Sequence, residues 1–79
     1  MYYVYHIQSI KSPDQIYVGY TNNLKARLKT HNSGGSIFTA RHAPWKLVAY
    51  HAFDDELKAM RFERYLKTPS GKAFALKRF

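Results

Sequence analysis

Aromatic and β-branched side chains crowd two stretches near the start of the chain, residues 2–9 (Tyr-Tyr-Val-Tyr-His-Ile-Gln-Ser) and 16–20 (Ile-Tyr-Val-Gly-Tyr). Such residues favour strands. Between them lies a turn-type cluster, Lys11, Ser12, Pro13, Asp14 and Gln15, and the combination predicts a β-hairpin. Period-two alternation sets Tyr3, Tyr5 and Ile7 on one face of the first strand, and Tyr17 and Gly19 on one face of the second. Gly19 marks a close backbone approach or the exit from that strand. The period then lengthens. Over residues 21–31 the helical face i, i+3, i+4, i+7 reads Leu24, Arg27, Leu28 and His31, with Thr21 as the N-cap. The two leucines must pack against something, so Arg27 and His31 are expected to point inward with them. A desolvated guanidinium then needs carboxylates, phosphates or good acceptors.

Asn32, Ser33, Gly34, Gly35 and Ser36 stop this helix and open a loop that reaches Pro44 and holds Thr39, Arg41 and His42. Structured loops of such length in compact domains are more often functional than filler. Residues 45–53 read as a third strand, with Leu47, Ala49, His51 and Phe53 on one face and Val48, Tyr50 and Ala52 on the other. Asp54 is set to cap a second helix that runs to about Lys67, with acidic residues in its first turn as the helix dipole prefers. Its apolar stripe is Ala59, Phe62 and Leu66, and Glu63 lies at i+4 from Ala59 and i−3 from Leu66. Thr68 and Pro69 end it. Ser70 is placed to cap a last short helix carrying Phe74, Lys77 and Phe79. The order ββαβαα predicts an α+β fold, a small three-stranded antiparallel sheet flanked by helices, with residues 1–79 forming one domain.

Composition narrows the partner. Thirteen Lys and Arg against five Asp and Glu leave a net charge of +8 on 79 residues, a field that attracts polyanions, nucleic acid first and an anionic membrane face or acidic protein second. The absence of Cys removes a disulfide framework and any Cys-based zinc site. The first residues lack a basic segment followed by a long apolar run, and no apolar stretch approaches membrane-spanning length. A cytoplasmic protein with no membrane partner is the expectation.

Three groups could carry chemistry. Glu63 is the one acidic residue on an inward face; it could form a structural salt bridge with Arg27, or ligate a hard divalent cation such as Mg²⁺ with substrate phosphates completing the site. Tyr5 and Tyr17 meet at one patch if the hairpin faces coincide. Cross-strand packing would explain that pair, and so would a phenol acting as general base near positive charge. His31 either suits the negative end of its helix or shuttles a proton. His6, His42 and His51 show no metal-ligand spacing, and neither a glycine-rich nucleotide loop nor a serine nucleophile arrangement is present.

Taken together, Tyr3-Val4-Tyr5, Tyr17-Val18-Gly19, Arg27, His31 and Glu63 resemble the GIY-YIG nuclease family over essentially the whole chain, in particular its small stand-alone bacterial members, related to the amino-terminal nuclease domain of the excision-repair endonuclease. Asn32-Ser33-Gly34 and Pro44-Trp45-Lys46-Leu47-Val48 add to the likeness. The resemblance implies phosphodiester hydrolysis with one divalent metal, Mg²⁺ or Mn²⁺, held by Glu63. It implies Tyr17 as general base, with His31 in a relay or as the alternative base. Tyr5 would orient water or phosphate, and Arg27 would stabilise charge on the phosphoryl oxygens. Lys25, Arg41, Lys67, Ser70 and Lys72 are expected to touch nucleic acid. Three positions depart from the family pattern: Tyr3 stands where the first motif has glycine, Tyr20 where some relatives have lysine, and Phe62 where many small relatives have a basic residue. Lys25, Lys67 or Lys72 would have to replace the cation missing at Tyr20. The expected function is a metal-dependent DNA endonuclease acting on single-stranded or structured DNA, and on duplex no more readily, in repair, recombination or DNA processing. A helper protein could supply specificity. The alternatives are a weak or inactive nucleic-acid-binding module of the same fold, and a structural domain whose Glu63–Arg27 pair is only a salt bridge.

Overall fold

The computed structural model describes residues 1–78. Its elements run β1 (Tyr2–Ser9), β2 (Ile16–Thr21), α1 (Leu24–Asn32), α2 (Ile37–Ala40), β3 (Trp45–Phe53), α3 (Glu56–Leu66) and α4 (Pro69–Arg78). The three strands form an antiparallel sheet in the order β2-β1-β3, the expected α+β architecture. β1 is central and covered on both faces, so Val4, Tyr5, His6 and Ile7 are buried in succession. Val4 packs with Ala59 and Leu66 of α3 and with Phe74 and Ala75 of α4. Tyr5 and Ile7 project to the other face and pack with Trp45 and with Leu24 and Leu28 of α1. α1 and α3 therefore lie on opposite sides of the sheet.

Several expected details shift. Thr21 stays in β2 opposite Tyr3, and the helix is capped two residues later, where the Asn23 side chain accepts from the Ala26 N–H at 3.1 Å. α3 is capped by Asp55 rather than Asp54, its carboxylate accepting from the Leu57 N–H at 2.9 Å. Ser70 does not cap α4. That helix begins at Pro69, whose missing N–H costs nothing in the first turn, and Thr68 caps it by accepting from Gly71 N at 3.1 Å. Phe79, expected in this helix, lies outside the described residues. A Cβ on Gly71 would overlap the Tyr65 carbonyl, so the bare backbone lets α4 turn tightly off α3.

Two corrections bear on the site. The loop of residues 32–44 contains α2, a single turn the periodicity did not predict. In β3 the register slips between the partners of His6 and Ile7: Ala49 pairs with His6 and Leu47 with Ile7, leaving Val48 as a bulge. Leu47 thus joins the face of Tyr50 and Ala52, not that of Ala49 and His51.

Candidate active site

The β1–β2 register sets Tyr5 opposite Gly19 and Ile7 opposite Tyr17, so both phenols share a face with the bare glycine backbone. A Cβ on Gly19 would lie 2.5 Å from the Tyr5 hydroxyl oxygen, which makes glycine a condition for seating that ring. The Tyr5 and Tyr17 ring centroids are 6.4 Å apart.

α1 delivers His31 to this patch, fully buried. Its Nε2 is 2.8 Å from the Tyr5 hydroxyl and its Nδ1 is 2.7 Å from Oγ1 of Thr39, itself buried on α2. Trp45 Nε1 donates to the Thr39 carbonyl at 2.8 Å, and the Asn32 side chain both donates to the Trp45 carbonyl and accepts from its N–H. Burial pushes the His31 imidazole below its ordinary pKa, and the Arg27 guanidinium adds to the effect. Burial likewise pushes the Tyr5 phenol up, reinforced by Tyr17 and opposed by Arg27. A protonated phenol beside a neutral ring makes both contacts hydrogen bonds in either tautomer: one ring nitrogen accepts from its hydroxyl partner while the other donates to its own.

Tyr17 is half-buried at the centre of a ring cluster, 5.1 Å from His31 and 5.9 Å from Phe38 between centroids. It opens into a cleft of about 650 Å³ whose walls include Phe38, Lys67 and Lys72. The Lys67 ammonium sits 5.5 Å from the Tyr17 ring centroid and 3.0 Å from Glu63 Oε2, one turn earlier on α3. Glu63 is thus coupled to the cleft through Lys67, with its side chain 21% exposed.

Arg27 departs from expectation: it is exposed. At 100° per residue it lies about 60° from Leu24 on the side away from Leu28, the margin of the stripe, where a long side chain reaches water. It lines a separate hollow of about 270 Å³ with Tyr20, Asn22 and Glu56. The anticipated Glu63–Arg27 salt bridge is not formed, because their helices cover opposite faces and Glu63 pairs with Lys67 instead. Of the expected nucleic-acid contacts, Lys67 and Lys72 line the Tyr17 cleft; Lys25, Arg41 and Ser70 are exposed but do not. Sequence reasoning gave no role to Thr39 as the partner of His31 or to Phe38 beside Tyr17. Their signal was weak, a polar and an aromatic residue inside a long glycine-led loop. Among the described residues no three His, Asp or Glu side chains gather as a metal cluster. Glu63 would offer a divalent cation one hard carboxylate donor, whose Oε2 here meets the Lys67 ammonium, leaving the remaining ligands to substrate phosphate and water.

The model of the GIY-YIG catalytic domain matches residues 1–77. The UPF0213 protein CPE1444 of Clostridium perfringens is 38% identical over 68 residues, 85% of this chain and 71% of that relative. The structure-specific endonuclease subunit SLX1 homolog of Giardia intestinalis is 37% identical over 60 residues, which is 71% of this chain but 17% of the relative's length. The solution structure of the UPF0213 protein BH0048 from Bacillus halodurans superimposes with a TM-score of 0.57 at 33% identity, covering 98% of this chain and 84% of that one.

Proposed function

The chain belongs to the GIY-YIG family, and on that premise we propose that it is a divalent-metal-dependent DNA endonuclease with Tyr17 as general base. The observation that carries this reading is the contrast between the two phenols. Tyr5 is buried and held protonated against His31, whereas Tyr17 faces a cleft walled by lysines. In hydrolysis, water attacks phosphorus, the bond to the 3′ oxygen breaks, and the electron pair of that bond leaves with the oxygen. The Tyr17 oxygen takes a proton from the attacking water, and the Lys67 ammonium, 5.5 Å from the centre of the Tyr17 ring, adds positive charge to the same cleft. Tyr5 and His31 hold the ring cluster around it. Arg27, exposed on the flank of α1 and lining the neighbouring hollow rather than the Tyr17 cleft, would have to swing its long side chain toward the phosphate to neutralise charge on the non-bridging oxygens. Mg²⁺ or Mn²⁺ held by Glu63 would stabilise the departing 3′ oxygen.

Lys67 and Lys72 line the cleft as phosphate contacts, with Lys25, Arg41 and Ser70 reaching DNA farther from the reacting bond. Residues 1–79 act as one nuclease domain. The subunit named in the Giardia relative supports a helper protein as a source of substrate choice. A second reading, a binding module with little turnover, is favoured by the Lys67–Glu63 pair, which already occupies the carboxylate.

Labelled single-stranded, flap and duplex DNA incubated with the protein and Mg²⁺ or Mn²⁺ separates the two. Metal-dependent cleavage is expected, abolished by Glu63→Ala and reduced about 10²–10⁴-fold by Tyr17→Phe. DNA binding without cleavage under every metal would establish the module.

A further inference from the structure

α2 is one helical turn with two opposite surfaces. Thr39 is fully buried and fixed at two points, its hydroxyl to His31 and its carbonyl to Trp45. The two residues before it, Ile37 and Phe38, are 95% and 80% exposed, the largest exposures among the bulky apolar side chains of the described residues. A large aromatic held outward on an anchored turn contributes little to the core, and contiguous exposed apolar surface marks an interaction site. Phe38 stands beside the Tyr17 ring, tilted 51° to it, on the wall of the cleft that also holds Lys67 and Lys72. An aromatic face with two ammonium groups in one cleft matches the two components of a nucleotide, a flat base and an anionic phosphate.

We propose that Phe38 is the stacking platform for an unpaired base of the strand being cut, with Ile37 beside it and Lys67 and Lys72 on the adjoining phosphates. Bases within a duplex already stack on both neighbours and have no free face to present. A base in a single strand, a flap or a frayed end does. The substrate class this selects is therefore DNA with unpaired nucleotides next to the reacting phosphate. Only the position of that phosphate rests on the nuclease reading; the stacking contact itself is independent of turnover.

The test is binding without divalent metal, in EDTA, so that nothing is cut. The 79-residue protein is titrated with a single-stranded oligonucleotide containing 2-aminopurine and with a duplex of the same length. Phe38→Ala is expected to weaken single-strand binding at least about fivefold and to abolish the change in 2-aminopurine fluorescence, while duplex binding changes less than twofold. Phe38→Trp is expected to preserve both single-strand signals. Equal loss on both DNAs, or no loss on either, would overturn the platform; the second result would point to a protein partner for Phe38. Cleavage assays on the same proteins keep the readings apart. Stacking without turnover sinks the nuclease and leaves the platform, and turnover by a protein whose single-strand binding is indifferent to Phe38 does the reverse.

Discussion

On the Val4 face, the sheet meets α3 and α4 through Ala59, Leu66, Phe62 and Phe74, a surface held mainly by apolar contact. On the Tyr5 face it meets α1 and α2 through a directed chain, Tyr5 to His31 to Thr39 to Trp45, in which each link is a hydrogen bond. Apolar packing tolerates small shifts, because dispersion and burial have no preferred direction. A buried hydrogen-bonded chain does not: displacing one member strands the next one's polar atom. Both faces carry apolar contact, but only the second adds the hydrogen-bonded chain that fixes the positions of atoms, and the cleft-facing phenol belongs to that second face.

The sharpest way to break this contrast is to hollow the apolar side. Leu66→Ala, at a fully buried position, is expected to cost about 2–5 kcal/mol in chemical denaturation. A loss under 1 kcal/mol would mean that adhesion resides elsewhere. On the other face, Tyr5→Phe and Thr39→Val each remove one partner of His31, with an expected cost of about 1–3 kcal/mol. If the chain acts as a unit, the double variant departs from additivity by at least about 0.5 kcal/mol, whereas strict additivity would reduce the chain to separate contacts.

The smallest effect is in the pH dependence. Burial holds His6, His31 and His51 below their ordinary pKa, so the unfolded chain binds their protons more readily than the folded one. Their contribution to stability is complete above the unfolded value, about 6.5, and declines as pH falls below it. Unfolding free energies between pH 8 and 5 should show this decline. In His31→Asn the decline should be shallower yet persist through His6 and His51 on the opposite face. A flat wild-type profile would show that none of the three is held neutral.

How much of this was legible in the residues follows from the range of the forces involved. The bounds of β1 and β3 coincide with the runs of aromatic and β-branched side chains, and the Tyr5–Tyr17–Gly19 patch follows from alternation across one hairpin. The bulge at Val48 left no mark, because an apolar run reads the same with or without one unpaired residue. α2 escaped notice because one turn is too short for a helical period. Arg27 sits where angle alone permits either direction, and side-chain length decided for solvent. Thr39 could not be matched to His31 from the chain, since seven residues of a glycine-led loop separate them and only the folded loop closes that distance.

β1 is the party wall between the two faces, and adjacent residues on it serve different neighbours: Val4 and His6 one side, Tyr5 and Ile7 the other. Deleting or inserting a single residue there would exchange every tenant, driving Val4 toward His31 and Tyr5 into the aliphatic packing of α3. The strand can therefore diverge by substitution but not by length. The largely exposed hairpin turn at residues 10–15 has no alternation of faces to preserve. Its ties are local, the Ile10 N–H to the Pro44 carbonyl and Asp14 and Gln15 on the rim of the Tyr17 cleft, so a change of length there reaches the cleft's edge rather than both faces of the sheet.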